Sequence, residues 1–196
     1  MTELTRRRLL AATGATGALV GCLGIGGDGG STGARGSDSG SGTGDGGGDE
    51  TDGRATWRTT TLTDVRNGET FTVDDLEKPV LLQTFAVWCS KCLRQQRNVR
   101  ALTERAVDVR PVNLNIDPNE DEGRVRSHLQ EHGFDWRYAV SPQSVTDSLV
   151  DRFGSSITAP PQSPVVVVCE NETTRLSDGI KAADQLERAL DRCQST

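Results

Sequence analysis

The sequence predicts an α/β protein, a central mixed β-sheet with helices on both faces. Three observations carry that expectation. From residue 80 onward, strand-like and helix-like stretches alternate in the order β-α-β-α-β-α-β-β-α. Two of the strand-like stretches suit a buried sheet, Val80 to Phe85 and Val165-Val166-Val167-Val168 directly after Pro164. Two cysteines, Cys89 and Cys92, stand where the first of these strands hands over to a helix.

The elements follow in order. Thr59 to Leu62 is a short β-type run, Asn67-Gly68 signals a turn, and Phe71-Thr72-Val73 can pair back across it. Asp74 to Pro79 connects to the strand Val80–Phe85. A helix from Ser90 to about Ala106 places Cys92, Val99, Leu102, Thr103 and Ala106 on one face. Lys91, Arg94, Arg97, Arg100 and Arg105 cover the other, which reads first as a solvated face and second as a positive field near Cys89. Val109 to Ile116 is the next strand. A helix then starts near Glu120-Asp121-Glu122 and ends at Gly133. Trp136 to Val140, a helix from Ser144 to Phe153, the valine strand, Thr173 to Leu176 and a helix from Ile180 to about Arg192 complete the series.

The first 54 residues differ in kind. Residues 1–22 begin with a basic cluster and continue through a short apolar run to Leu19-Val20-Gly21-Cys22. That pattern is a secretory signal, too short to span a bilayer. Thr5-Arg6-Arg7-Arg8-Leu9-Leu10 resembles a twin-arginine export signal, and Leu19-Val20-Gly21-Cys22 resembles a lipobox in which Cys22 is lipidated. An ordinary cleaved signal with an incidental cysteine is the alternative. Residues 23–54 are almost only Gly, Ser, Thr and Asp, and bury too little to fold. As a coil they would reach roughly 30 Å, enough to hold a domain, residues 55–196, off a membrane.

The chain has 196 residues and a net charge of −6, with only Lys78, Lys91 and Lys181 as lysines among 22 basic residues. That balance excludes a general nucleic-acid binder, which needs a basic footprint. In composition it resembles the proteins of salt-loving archaea. Five cysteines are present: Cys22, Cys89, Cys92, Cys169 and Cys193. A Cys-x-x-Cys pair at a helix N-terminus has the chemistry of a thiol–disulfide centre. Unpaired N–H groups and a partial positive charge favour thiolate there, and the spacing lets the two sulfurs bond.

Trp88-Cys89-Ser90-Lys91-Cys92 after an apolar strand, Asn67 to Leu76 before it, Val112-Asn113-Leu114-Asn115-Ile116-Asp117 and the strand opening at Pro164 together resemble one family. It is the TlpA/ResA-like branch of extracytoplasmic thiol oxidoreductases, which have a thioredoxin-like fold. The resemblance covers roughly 57–193. It implies that Cys89 is the exposed attacking thiol and Cys92 the resolving thiol. It implies that Trp88 lines the partner groove, that Pro164 is cis and faces the sulfurs, and that Ser163 offers backbone hydrogen bonds to the substrate. Pro160 and Pro161 compete for the proline role, and Pro164 is preferred because the valine strand begins after it. The implied partners are protein thiols and disulfides, including a membrane electron-donor protein, with the membrane reached through a lipid anchor on its outward face. No bound cofactor is implied.

The chain departs from the family at three places. Gln83 stands where thioredoxin has a buried Asp, Gln95 where the branch has a Glu, and Arg97 where a helix proline is usual. An amide does not titrate, so the proton-transfer group and the redox direction stay open.

Cys169 ends the valine strand and Cys193 ends the last helix. A structural disulfide and two separate buried thiols are both open readings. His128-Leu129-Gln130-Glu131-His132 matches an H-x-x-E-H zinc pattern, but no third ligand follows, and a solvated helix face is the preferred reading. No metal site is expected. Trp57, Trp136 and Tyr138 read as packing residues. Two further readings are a copper-handling module and a non-catalytic interaction domain. The Cys spacing argues against the first and the intact pair against the second.

Overall fold

The computed structural model describes residues 55–194. The signal, Cys22 and the tether lie outside the described residues. A short helix α1 (Thr56–Thr59) precedes a two-stranded antiparallel ribbon, β1 (Leu62–Thr63) and β2 (Thr70–Phe71). The tight turn between them closes with Gly68 N–H donating to Asp64 O at 2.8 Å, Gly68 being at φ 77°. The run Thr59–Leu62 was expected as strand. The strand begins later, at Leu62, and Thr59 closes α1, whose Trp57 drops wholly into the core.

The main sheet has five strands: β3 (Val80–Phe85), β4 (Arg110–Asn115), β5 (Arg137–Val140), β6 (Val165–Val168) and β7 (Thr173–Arg175). Their order is β5-β4-β3-β6-β7. Strands β3, β4 and β5 run parallel, while β6 and β7 are antiparallel, so the sheet is mixed as expected. Strand β3 is central and buried along its whole length, which its apolar run requires.

The period of two sorts the sheet into two faces. Val80, Leu82, Val112, Leu114, Val166 and Val168 point to one core with Trp57 and with Val145 and Leu149 of α4 (Gln143–Phe153). Leu81, Phe85, Val165 and Val167 point to the other. There they meet Val99 and Leu102 of α2 (Ser90–Thr103), Val125 and Leu129 of α3 (Glu122–His132), and Leu186 and Leu190 of α5 (Ala183–Gln194). Each fully buried leucine contributes about 2 kcal/mol relative to exposure.

Helix ends follow local chemistry. Asp121 caps α3 by accepting from Arg124 N–H, and Gly133 closes it in the left-handed region at φ 64°. Helix α2 stops at Thr103, short of the expected Ala106, which itself sits at φ 58°. Between α4 and β6 lie two 3-10 turns, Ser155–Thr158 and Pro160–Gln162. Among the described residues, no helix is long and apolar enough to cross a membrane.

Candidate active site at the Cys89–Cys92 pair

Strand β3 carries the chain from the sheet centre straight to the cysteines. Cys89 is the N-cap of α2, in extended conformation, and its sulfur accepts the backbone N–H of Cys92 at 3.1 Å. Cys89 and Cys92 are bonded, with Cα atoms 5.2 Å apart. On reduction, that same N–H and the helix N-terminus act on the Cys89 sulfur and favour its thiolate. Cys92 lies one turn inside, fully buried, with its sulfur 3.1 Å from Pro160 O. A thiol there can donate to that carbonyl, which favours the protonated form. The two sulfurs are therefore inequivalent by construction.

The resemblance implied an exposed Cys89. The residue is only 3% exposed. Its opening to solvent is a shallow cleft that it lines with Trp88, Ser90, Lys91 and Pro161. Trp88 is 59% exposed, and its indole N–H donates to Asp117 Oδ2 at 2.6 Å. That bond, with the backbone and side-chain amides of Asn119, holds the Asp117 carboxyl below its ordinary range. The neighbouring Val87 N–H donates to Glu120 Oε2 at 2.8 Å, which also accepts from Asn115. The loop after β4 thus clamps the residues leading into Cys89. Glu120 is buried, and its other oxygen has no hydrogen-bond partner.

The expectation for Ser163 and Pro164 needs correction. Ser163–Pro164 is trans; among the described residues the cis bond is Lys78–Pro79. Both Ser163 and Pro164 are buried. Ser163 spends its backbone internally, donating from N–H to Pro160 O at 2.8 Å and accepting from Lys181 Nζ at 2.7 Å. Both backbone groups thus have partners inside the fold. The reason is the left-handed turn at Ser163, φ 48°, which turns 163–164 inward and leaves Pro160 and Pro161 facing the cysteines.

Behind the pair, the two glutamines are structural. Gln83 Nε2 donates to Cys92 O at 3.3 Å, and Asn113 Nδ2 donates to Gln83 Oε1 at 3.3 Å. Trp136 Nε1 then donates to Asn113 Oδ1 at 2.6 Å, which completes a neutral buried chain. Gln95 accepts from Lys181 N–H at 2.6 Å and donates to Lys181 O at 3.2 Å. Buried amides at 83 and 95 satisfy peptide groups where carboxylates would carry charge.

Elsewhere, Cys169 and Cys193 are joined across β6 and α5, with Cα atoms 5.2 Å apart. The solvated reading of the histidine helix fails at His128, which is buried. Its Nε2 lies 2.8 Å from Gln96 Oε1, and its ring stacks on Phe85. Burial, and then the neighbouring His132, lower its pKa from 6.5 to about 4. Among the described residues, no three His, Cys, Asp or Glu side chains form a group that could hold a metal. Trp57, Trp136 and Tyr138 pack in the core.

Sequence reasoning missed Asp117, Glu120 and Lys181. Of these, Lys181 left a signal: it is one of three lysines and follows a glycine break before the last helix.

A five-stranded mixed sheet with a Cys-x-x-Cys at the end of its central strand defines a thioredoxin-like fold, and solved structures of that fold superpose on this chain. A thiol:disulfide interchange protein of the thioredoxin family from Chlorobium tepidum aligns with TM-score 0.57 at 16% identity, covering 68% of this chain and 92% of that one. A SCO1/SenC family lipoprotein from Bacillus anthracis aligns with TM-score 0.55 at 17% identity, covering 69% and 92%. In sequence, a thioredoxin from Streptomyces clavuligerus is 42% identical over 53 residues. The match takes in 26% of this chain and spans half the length of that thioredoxin. No family model matches the chain.

Proposed function

We propose that the protein is a membrane-tethered, extracytoplasmic thiol–disulfide oxidoreductase that exchanges disulfides with protein partners through Cys89 and Cys92. One observation carries the chemistry: Cys89 caps α2 with its sulfur on the Cys92 N–H while Cys92 sits buried against a carbonyl. This arrangement separates an attacking thiolate from a waiting thiol.

The exchange then runs in two steps. The Cys89 thiolate attacks one sulfur of a partner disulfide. The new S–S bond is a mixed disulfide, and the partner's other sulfur leaves as thiolate. Cys92 then attacks the Cys89 sulfur, and its proton goes to the departing partner thiolate. Two electrons have passed to the partner, and Cys89–Cys92 is a disulfide. A reduced dithiol protein reverses the steps and resets the centre. Trp88 and Pro161 flank the approach, and the exposed ridge Lys91, Arg94, Arg97 adds a positive field beside it. That field favours partner segments carrying carboxylates near their cysteines.

The tether rests on sequence, on Arg6-Arg7-Arg8, the lipobox ending at Cys22 and the Gly-rich stretch that follows. It places the domain on the outer face of the cell membrane, within reach of a membrane electron donor. Two experiments test the reading. Cys92→Ser in the full chain should accumulate a mixed disulfide with protein partners at Cys89; absence of any trapped adduct overturns the exchange chemistry. Cys22→Ser should release the protein from the membrane fraction; unchanged fractionation overturns the anchor.

A further inference from the structure

Lys181 is a buried charge that the exchange steps leave unused. It is 5% exposed, and burial lowers its pKa from 10.5 to about 8. Taking an ammonium out of water is expensive unless something holds it. Among the described residues, no carboxylate bonds to it. The Asp178 field supports the charge and the Arg175 field opposes it. The ammonium donates instead to a single carbonyl, Ser163 O, at 2.7 Å.

The backbone of Lys181 is fixed from the catalytic helix. Gln95, one turn after Cys92, bonds both its N–H and its carbonyl, and Asn98 Nδ2 donates to the same carbonyl at 2.8 Å. Ser163, which the ammonium holds, is itself in an unfavourable conformation. It is a non-glycine residue in the left-handed region, directly before a proline, which disfavours helical conformations for the residue it follows. Such residues persist only where their surroundings over-determine them, and they cluster at functional sites. The next bond leads to the sulfurs: Ser163 N–H donates to Pro160 O, and Pro160 O faces Cys92 Sγ at 3.1 Å. Lys181, Ser163, Pro160 and Cys92 form one continuous chain of contacts.

We infer that Lys181 is a positioning residue of the redox centre, holding the Pro160–Ser163 turn so that the Pro160 carbonyl meets the Cys92 sulfur. In the reduced protein the Cys92 thiol donates to that carbonyl and stays protonated, and the thiolate belongs to Cys89. This deepens the exchange reading above and rests on it for its functional meaning. The chain departs from its family by placing amides at 83 and 95; here a buried lysine, clamped by one of those amides, orders the loop that faces the resolving thiol.

The test is competitive alkylation of the reduced full-length protein with limiting iodoacetamide at pH 7, where Lys181 is charged, the label at Cys89 and Cys92 being read by mass spectrometry. In the wild type the label falls mainly on Cys89. Lys181→Met should raise the Cys92 share about fivefold, the equilibrium worth of one hydrogen bond. Ser163→Gly adopts the left-handed turn without strain, so the double variant Ser163→Gly/Lys181→Met should return the share towards the wild type. If Lys181→Met does not fold, Lys181→Gln is measured in its place, with the same expected direction. An unchanged share in a folded variant overturns the inference. A raised share that glycine does not rescue also overturns it, because the ammonium would then act by charge rather than by holding the turn. Wild-type exchange with glutathione is measured in parallel. Its failure would sink the oxidoreductase reading, whereas the labelling ratio reports on the turn independently.

Discussion

The two cysteine pairs of this domain have the same Cα separation, 5.2 Å, and opposite surroundings. Cys89 and Cys92 are three residues apart, at a helix N-terminus, beside a cleft that opens to solvent. Cys169 and Cys193 are 24 residues apart and tie the end of β6 to the end of α5. Closing the longer loop removes more freedom from the unfolded chain, worth about 3.5 kcal/mol against about 2 for the short one. The lesson is that reach does not set the role of a cysteine pair. The short pair gains little stability from closure and sits where an N–H and a helix dipole stabilise a thiolate. The long pair gains more and has neither.

The largest effect that can break this contrast is on exchange itself. Cys89→Ser should slow disulfide exchange with a protein substrate at least about a thousandfold, as loss of a nucleophile does. Cys169→Ser/Cys193→Ser should leave the rate within about twofold, since neither residue lines the cleft. Equal losses from the two changes would show that the pairs are not functionally distinct.

The next effect is on stability. The double change Cys169→Ser/Cys193→Ser should lower the unfolding free energy by about 3 kcal/mol in urea. A loss near zero would mean that the long pair does not restrain the fold.

A third effect sharpens the contrast, because it acts on the core that the pairs share. His128 is buried against Phe85 of that core with a pKa of about 4, and the unfolded chain titrates it near 6.5. Between these values the unfolded state binds the proton that the folded state refuses. Stability contributed by the neutral ring is therefore complete above about pH 6.5 and is lost progressively down to pH 4, by about 3 kcal/mol in all. His128→Gln should flatten this part of the pH–stability curve relative to wild type. Parallel curves for the two proteins would contradict it.

The smallest effect concerns the cleft. Trp88→Ala should slow exchange with a protein disulfide about tenfold and with a small disulfide much less, since an exposed aromatic anchors a partner chain rather than the sulfur chemistry. Equal slowing of both would assign Trp88 to the chemistry itself.

Much of this was legible in the residues. The apolar strand Val80–Phe85, the valine strand, the Gly133 stop and the position of Cys89 and Cys92 each follow from patterns within a few residues. What escaped depends on distant partners. Gln95 and Lys181 meet across 86 residues, and Asn113 reaches Gln83 across 30. No local pattern announces a buried polar side chain whose partner lies on another element. Ser163 and Pro164 misled for a related reason. The family resemblance implied a cis bond at Pro164, but the turn before it, with Ser163 at φ 48°, sends 163–164 inward. The Thr59–Leu62 run misled at its start, where Thr59 closes the helix that buries Trp57; the strand begins at Leu62.

The central claim is that Cys89 and Cys92 form a reversible two-electron centre distinct from Cys169–Cys193. The direct measurement is equilibration of the protein across ratios of reduced to oxidised glutathione, with acid quench, alkylation and mass mapping of each cysteine. The expected result is a single two-electron transition confined to Cys89 and Cys92, with Cys169–Cys193 bonded throughout it. A Cys89–Cys92 pair that does not interconvert, or a Cys169–Cys193 pair that opens first, would contradict the account.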